Sequence, residues 1–191
     1  MATLKERQYQ LRESAIVEAT YDLLVKKGYA DTSMDDVAAQ VGISKATLYL
    51  HFPSKAELAL RVIIQQIEAA EASIRTLDPA LPAIERLKQT LVQGIQHRVA
   101  MGAAQIDLLP QAIHTDPAFR AAERSVAEAG IALIAEAQRQ GDIRTDVSAT
   151  LLQAFIDNVF DIDFERLTQN GLPLRALCDQ MVDLVMRAIR P

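Results

Sequence analysis

Apolar residues recur at helical spacing in one segment of the chain after another. From about Tyr9 to Lys27, Leu11, Ala15, Ile16, Ala19, Leu23 and Leu24 predict a first helix. Lys26 and Lys27 suit the negative end of its dipole, and Gly28 is a stop signal just beyond. After the polar break Asp31-Thr32-Ser33, Ser33 and Asp36 form a variant capping box that starts a second helix at Met34. Met34, Val37, Ala38 and Val41 make its apolar face, and Gly42 ends it. Ser44 caps a third helix, with Leu48 and Phe52 on one side and Lys45, Thr47, Tyr49 and His51 largely elsewhere around it. Pro53 stops that helix, and the Ser54/Glu57 box launches a fourth carrying Leu60, Ile63, Ile67, Ala70 and Ile74.

The same period continues beyond Asp78-Pro79 and Pro82. Ile84, Leu87, Leu91 and Ile95 form one face of a fifth helix. Gly94 interrupts it at a cost of about 1 kcal/mol relative to Ala, which points to a close neighbour needing the space. A sixth segment, Gly102 to His114, is disturbed by Pro110; Ile106, Leu109 and Ile113 make its apolar side, and Asp107, Gln111 and His114 share another. Asp116-Pro117 opens a seventh helix with Phe119, Ala122, Val126, Ala129 and Leu133 inward, and Gly141 to Asp146 reads as a turn.

In an eighth helix, apolar residues from Leu151 to Leu167 cover about half the circumference, wider than one neighbour requires. A ninth repeats Leu174, Leu177, Met181, Leu184 and Ala188. Two over-wide helices predict that each faces its own core and a second subunit, as in a four-helix bundle across a two-fold axis. Candidate interface residues are Phe155, Val159, Ile162, Leu177, Met181 and Leu184, together with Asp163 and Arg166. The last two stand three apart, so they either pair along one face and set the dimer register or mark a helix leaving the core. The expected fold is all-α, with about nine helices.

Charge refines this picture. The net charge of −5 argues against a nucleic-acid partner until the chain is divided. Residues 1–55 hold seven basic and seven acidic side chains, and residues 56–191 carry the whole excess of acid. Local clustering of Lys5, Arg7, Arg12, Lys26, Lys27, Lys45 and Lys55 must therefore supply any attraction to DNA. The charged N-terminus lacks the apolar run of a signal peptide, and no stretch reaches the length of a membrane span, so a cytoplasmic protein is expected. A single cysteine, Cys178, leaves no intrachain disulfide or Cys-rich zinc site. With His51, His97 and His114 scattered and no Gly-rich phosphate loop, an enzyme is not expected, nor a cofactor or metal.

Two short helices broken by Val41-Gly42-Ile43 are the layout of a helix-turn-helix, whose second helix enters the major groove of DNA. Within residues 12–58, Arg12, Ala15, Ile16, Ala19, Gly28, Thr32, Val37, Ala38, Val41 and Gly42 are followed by Ser44, Lys45, Thr47, Leu48, Tyr49, His51, Phe52, Lys55 and Leu58. This stretch, about a quarter of the chain, resembles the N-terminal DNA-binding domain of the TetR family of bacterial transcriptional regulators. The family often has Phe at Leu24 and Gly at Ala46; the second difference bears on which operator is read.

The resemblance implies that Thr47, Tyr49 and His51 line the groove face, with Tyr49 on phosphate. Ser44 and Lys45 begin the helix that reads base edges; Lys45 suits a guanine and Ala46 a thymine methyl. Lys55, with the amides of its helix start, suits a phosphate, as does Ser33. Residues 1–55 are thus expected to form the DNA-binding domain and residues 56–191 a larger ligand-binding and dimerisation domain.

The expected function is a homodimeric transcriptional repressor on a palindromic operator of double-stranded DNA, released by a small-molecule effector. The alternative is a regulator that answers to a protein partner or acts as an activator. Helix faces suggest His97, Gln105, Leu109, Gln111, His114, Phe155, Asn158 and Val159 for the effector pocket.

Overall fold

The computed structural model describes residues 3–101 and 110–191. Its described residues form ten α-helices and no strand: α1 (Leu4–Asp31), α2 (Met34–Val41), α3 (Lys45–His51), α4 (Lys55–Thr76), α5 (Ala83–Met101), α6 (Gln111–Thr115), α7 (Pro117–Gln140), α8 (Ala149–Val159), α9 (Phe164–Gln169) and α10 (Leu174–Ile189). They cluster into two compact units, one containing residues 3–66 and 110–120, the other 67–101 and 121–191.

In the first unit the helix ends follow local chemistry. The Thr3/Glu6 capping box starts α1 five residues earlier than periodicity predicts, and helical geometry breaks at Gly28 (φ 79°, ψ 170°). Ser33 and Asp36 exchange both bonds of a capping box at the start of α2. Gly42 closes α2 in the left-handed region (φ 76°, ψ 32°), where a Cβ would strain against the following carbonyl. Ser54 Oγ accepts from the Glu57 N–H at 3.1 Å to begin α4. Ile16, Val37, Leu48, Leu58 and Val62 are each at most 1% exposed and form the centre of this unit's core. On α4 the buried residues are Leu58, Ala59, Val62 and Ile63; of the expected seam Ile63 is buried, Leu60, Ile67 and Ile74 are half-buried, and Ala70 is exposed.

The second core draws Leu87, Leu91 and Ile95 from α5, Ile134 and Ala137 from α7, Leu152 and Ile156 from α8, and Leu177, Val185 and Ile189 from α10. Gly94 has its close neighbour: a Cβ there would stand 2.5 Å from Phe160 Cε1. The turn after α7 is held by Gln138, whose Nε2 donates to the carbonyls of Arg144 (2.7 Å) and Val147 (2.8 Å).

One expectation is corrected here. The eighth predicted helix does not continue to Leu167; α8 ends at Val159, and α9 begins separately at Phe164. Arg98 Nε donates to the Phe160 carbonyl at 2.9 Å, supplying a donor to a carbonyl at that partly buried helix end. Asp163 is the N-cap of α9, its Oδ1 accepting from the Arg166 backbone N–H at 2.9 Å. Asp163 therefore serves a helix start, and the two residues are not paired charges on one continuous apolar face.

Candidate nucleic-acid interface

The α2–turn–α3 segment presents a short helix by its outer face. Ser44 Oγ accepts from the Thr47 N–H at 3.0 Å and lies 2.8 Å from Thr47 Oγ1, so both hydroxyls are engaged in the cap. Leu48 (0% exposed) and Phe52 (6%) anchor α3 in the core. At 100° per residue, Ala46, Tyr49 and Leu50 lie on the arc away from these anchors and are exposed; Lys45, in the first turn, is exposed too, though it stands only 60° from Leu48. Thr47 and His51 fall on the flank of that arc and are half-buried.

Leu50, 79% exposed, is the most open large apolar side chain among the described residues and was absent from the sequence-based site. Its place beside Tyr49, four residues after Ala46, was readable from the same wheel. An exposed Leu on this arc can contact a thymine methyl or sugar edges.

The cations are less free than their number suggests. Lys45 Nζ pairs with Asp35 at 2.9 Å, and the hydrogen bond to Asp35 raises the lysine's pKa. Lys27 Nζ pairs with Asp36 at 2.7 Å. Lys27, with Ser33, holds the Asp36 carboxyl well below the ordinary carboxylate range. The Ser33 hydroxyl donates to Asp36 at 2.5 Å, which makes Ser33 a cap facing an anion. Lys55 Nζ donates to the Ala30 carbonyl at 3.2 Å and sits 4.2 Å above the Tyr29 ring centre; burial lowers its pKa. Lys55 thereby ties the start of α4 to the end of α1.

The His51 ring stacks on Tyr9 of α1 with centroids 4.2 Å apart and planes 30° from parallel, and its Nδ1 is buried without a hydrogen-bond partner. In the same unit, a polar cleft of about 340 Å³ lined by Gln10, Glu13, Ser14, Val17, Arg61 and Gln65 opens between α1 and α4.

Residues 16–62, which include the whole of this segment, match the family model of bacterial regulatory proteins of the tetR family. Over that stretch the chain is similar to the tetR-family regulators. Among curated proteins, the transcriptional regulator EthR of Mycolicibacterium smegmatis is 38% identical over 72 residues, covering 38% of this chain and 33% of EthR. The match thus spans about a third of that relative's length.

Over nearly the whole chain the fold is that of solved TetR-type regulators. The fatty acid degradation regulator FadR from Bacillus halodurans superposes with a TM-score of 0.77 at 17% identity, covering 92% of this chain and 94% of its own. FadR from Bacillus subtilis, solved in complex with stearoyl-CoA, gives 0.73 at 17% identity over 93% and 99%.

Outside this segment, the expected effector residues fall in both units. Gln105 and Leu109 lie outside the described residues. Gln111 and His114 belong to the first unit, the latter with its ring edge-on to Phe119 (centroids 5.6 Å). In the second unit, half-buried His97 has its pKa lowered by burial and then by Arg98. Val159 lies in the core with Leu152 and Ile156, whereas Phe155 and Asn158 are exposed.

The expected dimer residues divide in the same way. Leu177 (2% exposed) and Val159 (8%) are buried in the core of their own chain. Their positions on wide apolar arcs fixed burial without saying against what. Ile162 and Met181 are half-buried, Asp163 and Arg166 are exposed, and Phe155 (44%) and Leu184 (60%) remain open. Leu151, four residues before Phe155 on the same face of α8, is 61% exposed and was missed. Among the described residues no cluster of His, Cys, Asp and Glu is arranged to hold a metal, and no helix is long and apolar enough to cross a membrane.

Proposed function

We propose that this chain is a ligand-responsive transcriptional regulator, most simply a repressor, that binds a palindromic DNA operator as a homodimer. The observation that carries the reading is the capped α3, which is anchored by Leu48 and Phe52, displays Ala46, Tyr49 and Leu50 on its open arc and leaves Lys45 exposed in its first turn. In this arrangement Tyr49 contacts phosphate and Lys45 reads a base edge, leaving Asp35 to do so. Thr47 and His51 border the groove, Ser44 and Ser33 set the starts of the two helices, and Lys55 steadies the corner behind them. Residues 1–55 form the reader, and residues 56–191 supply dimerisation and effector binding.

Exposed Leu151 and Phe155 on α8 and Leu184 on α10 support association with a second copy. Two readers spaced by roughly 34–36 Å would address successive major grooves. The fold likeness to a FadR solved with stearoyl-CoA supports an effector site in the C-terminal domain. A ligand that weakens DNA binding ten- to hundredfold must favour the non-binding state by about 1.4–2.8 kcal/mol.

The test is selection of bound sequences from a random duplex library with the full chain, repeated for two variants. A palindromic motif is expected. Tyr49→Phe should weaken binding to all sequences alike, and Lys45→Ala should relax preference at one position per half-site by about 1–3 kcal/mol. Absence of any enriched palindrome would refute the dimeric reader; an unchanged motif with Lys45→Ala would refute its base-reading role.

A further inference from the structure

The first three turns of α1 lie N-terminal to the segment matched by the family model, which begins at residue 16. On a helical wheel, Lys5, Tyr9 and Arg12 stand at i, i+4 and i+7, within an arc of about 60°. That arc is the prolongation of the stripe that buries Ile16, Ala19 and Leu23 further along the same helix. A stripe that faces the core for three turns therefore becomes cationic and aromatic where α1 runs past the core. Its aromatic member is Tyr9, stacked 4.2 Å from His51 at the end of the recognition helix α3. The stack fixes the side of the reader along which Lys5 and Arg12 are presented.

Charge availability points the same way. Of the seven cations in residues 1–55, Lys27 and Lys45 are ion-paired and Lys55 is bound to a carbonyl. Lys5 and Arg12 are exposed, and among the described residues neither has a carboxylate partner. A neutral domain that has consumed its central lysines internally still holds two unpaired cations on one stripe beside the reading helix.

We infer that this stripe is a second DNA contact, in which Lys5 and Arg12 bind backbone phosphates flanking the major groove entered by α3, with Tyr9 as the positioning residue. The inference rests on the DNA-binding reading above. It assigns the stripe to affinity alone, because phosphate contacts carry no base information.

The test measures binding of the full chain to a fluorescein-labelled random-sequence duplex by anisotropy across a salt series from 50 to 200 mM. Each phosphate contact contributes about 0.9 to the slope of log affinity against log salt. Lys5→Gln with Arg12→Gln should therefore flatten the slope by about 1.8 per bound protomer. Arg7→Gln removes a cation from the opposite side of the same helix and should leave the slope unchanged. Tyr9→Ala should reproduce the flattening while Tyr9→Phe retains the native slope, with helix content checked by circular dichroism.

An unchanged slope in the Lys5/Arg12 variant, or an equal loss per charge with Arg7→Gln, would overturn the stripe as a located contact. A native slope in Tyr9→Ala would overturn the role of the stack. If the unmodified chain binds no duplex at 50 mM salt, the DNA reading itself falls, an outcome distinct from binding with an unaltered slope.

Discussion

Gly94→Ala tests the packing of the second unit where the structure makes the sharpest steric statement. An added Cβ would lie 2.5 Å from Phe160 Cε1 and 2.7 Å from Cζ. Carbon atoms in ordinary contact stand about 3.5–4.0 Å apart, so the ring must retreat by roughly 1 Å. It cannot do so by moving its backbone freely, because Arg98, one turn further along α5, holds the Phe160 carbonyl at 2.9 Å. Overpacking of this kind costs about 1–3 kcal/mol, while the better helix propensity of Ala returns about 1 kcal/mol. The net expectation is destabilisation by about 1 kcal/mol, read as a lowered urea midpoint at fixed protein concentration. In a Phe160→Leu background the obstacle is gone and the propensity gain remains, so the same Gly94→Ala change should become stabilising. The cycle should give a coupling energy of about 1–2 kcal/mol. Stabilisation by Gly94→Ala alone, or the same effect in both backgrounds, would refute the lodged ring.

Ser44→Ala should cost about 1 kcal/mol of stability through the lost cap, whereas Ser44→Asp should keep the melting temperature but weaken duplex binding by placing a carboxylate at the groove. Asp35→Asn should release Lys45 and raise affinity for duplexes of any sequence severalfold, with a steeper salt dependence; an unchanged anisotropy titration would count against the pair as a brake. For Asp36 the folded carboxyl titrates below its unfolded value, so its stabilisation is fully present above the unfolded pKa of about 3.9 and is lost as pH falls toward the folded one. The stability gap between the native chain and Asp36→Asn, followed by denaturation at each pH, should be flat from pH 5 to 8 and should narrow below about pH 4. Leu151→Asp with Leu184→Asp should shift sedimentation from dimer to monomer without loss of helical signal; an unshifted dimer would move the interface elsewhere on the second unit.

The starts of α2, α3 and α4 and the end of α2 were legible because their causes are local. Ser33 with Asp36, Ser44 with Thr47 and the positive-φ Gly42 each act within four residues, inside the range where sequence spacing is geometry. The break after α8 was not legible from periodicity, since Phe160, Ile162, Phe164 and Leu167 carry the apolar pattern straight through it. Its causes include a bond from Arg98, sixty-two residues away, and a cap whose signal, Asp163 before Phe164, was masked by the pattern around it. Stripe width on α8 and α10 likewise predicted two buried surfaces. That Leu177 is buried and Leu184 left open required the fold.

The site shows the same division, with a consequence for how it works. The arc of α3 followed from the wheel, but the partners of its cations did not: Asp35 is ten residues from Lys45, and the Ala30 carbonyl is twenty-five from Lys55. A lysine already paired gains less from a phosphate than a free one, because the carboxylate it leaves is exposed to the same anionic surface. Lys45 can leave Asp35 with profit only where a well-placed acceptor such as a guanine edge replaces it; a wrong base leaves Asp35 against DNA with nothing in return. On the proposed DNA-reading role, the pair would lower affinity for every sequence and lower it most for the wrong ones, which is discrimination by an unfavourable element rather than by added attraction. A reader built this way needs its general affinity from elsewhere, and the unpaired Lys5 and Arg12 stand on the part of α1 that can supply it.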